Sequence, residues 1–203
     1  VSDKIAAIAL AAGRSARMGP RNKLLEPIGE KPMLAHVVDV ALASGADPVI
    51  VVTGYEAARV AETLSGLKLT IVHNPAFDDG LSSSLKAGLN ALPPDCDGAL
   101  ILLGDMPRVE AAVLGALMAA FTSRDAICVP THRGRCGNPV LWGRSYFDEM
   151  MQLSGDIGAK HMLMQHKDRV SEVAVASESI FTDVDTPADL ARLTADARTR
   201  RSR

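Results

Sequence analysis

An α/β architecture with a mostly parallel, doubly wound sheet is what this 203-residue sequence predicts, on three observations. Short, near-continuous apolar runs recur along the chain, as strands buried on both faces require. Longer Ala- and Leu-rich stretches of mixed polarity separate them, so strands and helices alternate. Aromatic residues make up only 3% of the chain, which leaves Ala, Val, Ile and Leu to fill the interior and suits β-branched strands under small-residue helices.

Taken in order, the runs 5–11, 48–52, 69–72, 99–103 and 126–129 are expected strands, and 32–44, 56–64, 82–92 and 109–121 are the expected helices between them. Helical connections of this kind favour right-handed crossovers and hence parallel pairing. After Pro130 the rhythm changes. THRGRCGNP is a Gly/Arg-rich turn, VLW a short strand, 145–152 and 158–167 are expected helices, and 170–175 is a further strand. The segment 180–185 is expected to be a last strand. It leads through Thr186, a helix cap, and Pro187, a first helical residue, into a helix over 188–193.

The length fits one domain over 1–195, followed by a basic tail, 196–203, expected to be disordered. With 22 basic against 24 acidic side chains, a partner held by bulk positive charge is excluded, so no nucleic acid is expected. The three cysteines, Cys96, Cys128 and Cys136, form no C-x-x-C pair, which excludes a disulfide framework and a structural zinc site and suits a reducing compartment. The apolar run at the start is too short to span a membrane and lacks signal-peptide layout, so a cytoplasmic protein with no membrane partner is expected.

Four segments carry the chemistry. LAAGRSARMGPRNK, from Leu10 to Lys23, follows the first strand directly. Gly13, Ser15 and Gly19 allow a loop whose backbone N–H groups turn in on an anion, and Arg14, Arg17, Arg21 and Lys23 add charge for a triphosphate. The Walker A and G-x-G-x-x-G patterns are both absent, which weakens kinase and nicotinamide readings. ILLGDMP ends a buried strand on Asp105, where a carboxylate can hold Mg²⁺ against phosphate oxygens or, more plainly, cap the next helix. FTDVDTPADL offers Asp183 and Asp185 as a second carboxylate for the same ion. DGLSSSLKAG sets Gly80, Ser82, Ser83 and Ser84 at a helix start, where they either satisfy backbone donors or hold a ribose or base edge. Arg133 and Arg135 can clamp a second phosphate or form a solvated hairpin tip. No nucleophile elbow, cysteine nucleophile or histidine ligand spacing is present.

Together LAAGRSARMG with Lys23, GLSSSLKAG, LLGDMP, GNPVLW and DVDTPADL resemble the signature set of the nucleotidyltransferases that attach a nucleotide to molybdopterin. The resemblance runs from about Ile5 to Leu193 and is closest to the molybdenum cofactor cytidylyltransferases. It implies a Rossmann-like three-layer α/β/α nucleotidyltransferase fold and a Mg²⁺-dependent transfer of CMP from CTP to molybdopterin, with release of pyrophosphate. By this resemblance Leu10, Ala11, Ala12 and Gly13 approach the nucleotide, Arg17 and Lys23 stabilise the leaving pyrophosphate, and Asp105 and Asp185 hold the metal. Ala12 and the serine run point to cytosine over guanine. SGDIGAK resembles a family run expected on the acceptor side, with Lys160 meeting a pterin phosphate alongside Arg133 and Asn138; a molybdenum hydroxylase is the implied client. Alternatives are a cytidylyl- or uridylyltransferase acting on a sugar or alditol phosphate, and a non-catalytic carrier or maturation factor for the finished cofactor.

Overall fold

The computed structural model describes residues 3–15, 18–19 and 21–201, the side chains of 197–201 excepted. In chain order the elements are β1 (Ile5–Ala11), a small hairpin of β2 (Pro27–Ile28) and β3 (Lys31–Pro32), α1 (Met33–Ala43), β4 (Val49–Thr53), α2 (Ala57–Glu62), β5 (Thr70–His73), α3 (Leu81–Asn90), β6 (Gly98–Leu103), α4 (Ala111–Ala119), β7 (Ile127–His132), β8 (Arg135–Cys136), β9 (Val140–Gly143), α5 (Phe147–Met150), β10 (Val170–Ala174) and α6 (Pro187–Arg201).

All but the β2–β3 hairpin pair into one sheet, ordered β10-β7-β9-β6-β1-β4-β5 with β8 on β7. β1 pairs in parallel with β4 on one side and β6 on the other, β4 with β5, and β10 with β7. β9 runs antiparallel between β6 and β7, which makes the sheet mixed. The period-2 alternation of a strand divides the core into two. Ala7, Ala9 and Ala11 of β1 face a cluster with α1, α4 and Leu193 of α6, whereas Ile8 and Leu10 face another with Leu85 and Leu89 of α3 and Phe147 and Met150 of α5. The expected three layers follow from this.

Several elements differ from expectation. The stretch 158–167 is not an α-helix but a 3₁₀ turn, Ala159–Met164, and the region 145–152 holds the end of a 3₁₀ turn, Arg144–Tyr146, and the single turn α5. The segment 180–185 is not a strand. Ser177 caps a 3₁₀ turn over Glu178–Phe181 by accepting from the Ser179 N–H at 3.2 Å, and the chain then runs extended without a sheet partner. α6 begins as expected. Thr186 Oγ1 accepts from the Asp189 N–H at 3.2 Å, Asp189 accepts in return from the Thr186 N–H at 3.0 Å, and Pro187 stands at the first helical position. Hydrogen bonds from Thr186 hold the Asp189 carboxyl below its usual range. The helix continues to Arg201 through Ala- and Arg-rich sequence of high helix propensity, well past the expected end at Leu193. Among the described residues no helix is long and apolar enough to cross a membrane.

Candidate active site

β4 lies on one side of β1 and β6 on the other, so the loops leaving β1 and β6 diverge and open a crevice at the carboxyl ends of both strands. A cleft of about 580 Å³ fills it, with Leu10, Ala12, Gly13 and Ser15 on the β1 side and Leu103 and Asp105 on the β6 side.

Lys23 reaches this cleft from a 3₁₀ turn, Lys23–Leu25, that the loop builds on itself. The buried Asn22 caps the turn by accepting from the Leu24 N–H at 3.1 Å, Ser15 Oγ accepts from the Lys23 N–H at 3.2 Å, and Leu24 is buried in the core. The ammonium then donates to Asp105 Oδ2 at 2.7 Å and to Asp185 Oδ1 at 2.9 Å. Burial pulls the Lys23 pKa down, but the charges and hydrogen bonds of the two carboxylates outweigh it, and the net direction is up. Lys23 is therefore cationic at neutral pH, bridging two acids that would otherwise repel each other.

Asp105 is fixed by backbone contacts on both sides. The Gly104 N–H donates to the Leu10 carbonyl at 3.0 Å, and a Cβ at position 104 would stand 2.9 Å from that oxygen, so only glycine permits this approach. The Asp105 carbonyl accepts from the Val184 N–H at 3.0 Å, which brings Asp185 alongside. The helix-cap reading of Asp105 does not hold, because α4 starts at Ala111 with Glu110 in the cap position. Instead Asp105 Oδ1 is buried with no hydrogen-bond partner. A buried carboxylate oxygen left bare is costly, and two oxygen donors from separate strand ends suit a hard divalent cation. Among the described residues no group of three or more His, Cys, Asp or Glu side chains is placed to hold a metal. A cation here would therefore take its remaining ligands from phosphate and water, as Mg²⁺ does.

Asp183 and Asp185 part company. Asp185 lines the main cleft, whereas Asp183 faces a separate cavity with Arg108 and Phe181, since the intervening chain is not the strand that would have aligned them.

Of the four cations expected from the loop, the described residues bring two, Arg14 and Lys23, to the cleft. Arg14 lies at the cleft but is clamped by Asp78, Nε to Oδ1 at 2.5 Å and Nη2 to Oδ2 at 2.6 Å, with its guanidinium 5.3 Å from the Phe77 ring centre and 5.8 Å from that of Tyr55. The hydrogen bonds of this exposed pair raise the Arg14 pKa and lower that of Asp78. Arg21 points away, 70% exposed and 3.7 Å from Glu26, into a different groove. Arg17 lies outside the described residues. The described cleft lining thus holds two bases, Arg14 and Lys23, against four acids, Asp78, Asp105, Asp156 and Asp185.

Of the remaining expected residues, Ala11 faces the core instead of the cleft. Gly80 and Ser84 line the cleft, while Ser82 and Ser83 do not. The Ser82 N–H donates to the Gly155 carbonyl at 3.1 Å, and Ser83 Oγ donates to the Gly80 carbonyl at 2.8 Å, so both are used in securing the start of α3. Gly80 has φ +97°, and a Cβ there would collide with the Gly155 backbone. Gly80→Ala is expected to cost about 1–3 kcal/mol, read as a lower urea midpoint at unchanged slope; an unchanged midpoint would show that the 80–155 approach is not needed.

Arg133, Asn138 and Lys160 are not brought to the cleft. Arg133 is 80% exposed and 3.4 Å from Glu178, the Asn138 N–H donates to the Ile180 carbonyl at 2.9 Å, and Arg135 stacks over Phe181 at 4.6 Å. They tie the β7–β8 hairpin to the 3₁₀ turn before α6. Lys160 is exposed on the Ala159–Met164 turn. Sequence reasoning missed Asp78, and it singled out Lys160 from the SGDIGAK run where Asp156 is the residue that lines the cleft.

Comparison with known proteins places the chain among nucleotidyltransferases. The model of the MobA-like NTP transferase domain matches residues 7–170. The molybdenum cofactor cytidylyltransferase of Escherichia coli (strain K12) is 29% identical over 183 residues, covering 90% of this chain and 91% of that protein. The bifunctional protein GlmU of Sorangium cellulosum is 29% identical over 195 residues, but this chain spans only 38% of its length. Among solved structures, a nucleotidyl transferase from Methanothermobacter thermautotroptrophicus superposes with a TM-score of 0.86 at 26% identity, covering 98% of this chain and all of that one. With a two-carboxylate, one-lysine cluster at the switch point of its sheet, the chain belongs to the MobA-like NTP transferase family of nucleotidyltransferases.

Proposed function

We propose that this protein transfers CMP from CTP to the phosphate of molybdopterin, with Mg²⁺ bound by Asp105 and Asp185. The observation that carries the reading is the bare, buried Oδ1 of Asp105 beside a lysine bridging both carboxylates. The choice of CTP and molybdopterin rests on the near full-length match to the E. coli enzyme.

In this reaction a phosphate oxygen of the acceptor forms a bond to the α-phosphorus of the nucleotide, the bond from that phosphorus to the bridging oxygen breaks, and pyrophosphate leaves with the electron pair. The protein has little covalent chemistry to perform, so positioning and charge decide the rate. Mg²⁺, when bound, supplies positive charge for the phosphate oxygens. Asp105 and Asp185 would hold the ion, and Lys23, on a flexible stem that reaches the same cleft, would offer its ammonium to the charge building on the leaving group. Gly13 and Ser15 line the wall against which the phosphates would rest.

The excess of acid over base in the described lining has a direct consequence: a triphosphate alone meets more repulsion than its complex with a divalent cation, which carries two fewer negative charges. CTP with Mg²⁺ at about a hundred times its Kd should raise the melting temperature by several degrees, corresponding to about 2.7 kcal/mol. CTP with chelator should raise it far less. Equal shifts with and without Mg²⁺ would contradict the metal assignment.

A further inference from the structure

Arg14 is held from three directions. Asp78 engages its guanidinium side-on, Nε to Oδ1 at 2.5 Å and Nη2 to Oδ2 at 2.6 Å, while the rings of Phe77 and Tyr55 flank it at 5.3 Å and 5.8 Å. The holders are themselves fixed. The Tyr55 N–H donates to the Ala12 carbonyl at 3.0 Å and so ties the residues after β4 to the loop after β1. Phe77 and Asp78 stand on a 3₁₀ turn, Phe77–Asp79, closed by the Asp79 N–H on the Ala76 carbonyl at 3.0 Å.

Both side chains of the ion pair are more than half exposed, 57% and 56%, so water screens the pair and it adds little to stability. What a two-point fork does fix is direction. Two of the five N–H groups of a guanidinium are engaged, and the edge that carries Nη1 has no hydrogen-bond acceptor among the described residues. Arg14, Phe77 and Asp78 all line the cleft. Tyr55 and Asp78 follow β4 and β5, whereas Asp105 follows β6 on the other side of β1. Their hold draws Arg14 away from the two carboxylates, across the β1 loop. A nucleotide whose α-phosphorus reacts beside Asp105 and Asp185 carries two further phosphates, and Arg14 is the described base on the side remote from that point.

We propose that Asp78 is a positioning residue that acts through Arg14: it turns the free edge of the guanidinium to the terminal phosphate of the nucleotide, so that the site favours a triphosphate over a monophosphate of the same base. This rests on the nucleotide-transfer reading above and refines it. Bare charge predicts the opposite sign for the loss of Asp78, because a carboxylate in the lining repels a triphosphate and its removal alone should tighten binding. Asp156 lines the same cleft and supplies the comparison.

The test is calorimetry with CTP and with CMP, each with Mg²⁺, on wild type and variants. Asp78→Ala should weaken CTP about tenfold, the worth of one hydrogen bond to a charged group, and leave CMP unchanged. Arg14→Lys keeps the charge but cannot be held by the fork, and it should lose as much. Asp156→Ala gives up the same charge with no arginine to position and should bind CTP more tightly. The double variant Arg14→Ala/Asp78→Ala should match Arg14→Ala alone, because Asp78 acts through the arginine. Four results would each overturn the inference while leaving nucleotide binding in place: Asp78→Ala binding CTP as tightly as wild type or more so, Arg14→Lys keeping wild-type affinity, equal losses for CTP and CMP, or a further loss in the double variant. A wild-type protein that binds neither nucleotide would overturn the functional reading and this inference with it.

Discussion

Asp105→Asn is expected to fold normally and to transfer nucleotide about 10²–10³-fold more slowly than wild type, the loss found when one preorganised charge-stabilising group is removed from a reaction of this kind. The backbone contacts that fix residue 105, to Leu10 through Gly104 and to Val184, do not involve its side chain and survive the change. The neutral amide still offers an oxygen to Lys23. What disappears is one of two negative charges at the cation's position, together with the bare Oδ1 oxygen. The loss should fall on kcat and not be recovered by saturating CTP. Asp183→Asn supplies the comparison: it faces the other cavity and should retain the wild-type rate. Equal rates for Asp105→Asn and wild type would remove Asp105 from the mechanism.

Lys23→Met should move two measurements in opposite directions. The Lys23 side chain is only 13% exposed and bridges carboxylates that are 21% and 29% exposed, so the pairs are weakly screened by solvent. Removing the ammonium leaves two partly buried acids facing each other, at a cost of about 1–3 kcal/mol, less than for a fully buried pair. Mn²⁺ or Mg²⁺ added without nucleotide should restore that stability and bind about tenfold or more tightly than to wild type, because the ion no longer competes with a resident cation. Transfer should nonetheless fall about 10²-fold, since the leaving pyrophosphate has lost its ammonium. Weaker metal binding in the variant would contradict the displacement of Lys23 by the metal.

How far the fold could be read from the sequence depended on the kind of burial. β1, β4 and β6 are apolar on both faces, and their near-continuous runs announce parallel central strands. The place of β9 was not legible: its residues say strand, but nothing local says that it inserts antiparallel between β6 and β7. At 180–185 the apolar residues Ile180, Phe181 and Val184 imitate a strand, but Ser177 caps a local 3₁₀ turn and the Ile180 carbonyl is taken by the Asn138 N–H beyond the β7–β8 hairpin, a contact no local pattern announces.

Within the site, Asp105 was legible because it follows the end of β6, Asp185 because it precedes Thr186 and Pro187 at the start of α6, and Lys23 because it closes the cation-rich loop after β1. The pairing of Arg14 with Asp78, 64 residues away, was not, and it turns an expected phosphate ligand into one side of an ion pair at the rim. Ala12 has a second role in three dimensions: it lines the cleft, yet it is only 3% exposed, and a side chain at Gly54 would strike its methyl group, so it also packs against the residues that follow β4.

The transfer itself is tested most directly by incubating the protein with CTP, Mg²⁺ and molybdopterin and weighing the products by mass spectrometry. Molybdopterin heavier by one CMP unit, with one pyrophosphate released per product and neither formed by Asp105→Asn, is the expected result. CTP bound without release of pyrophosphate, or CMP found on a sugar phosphate while molybdopterin stays unmodified, would contradict it.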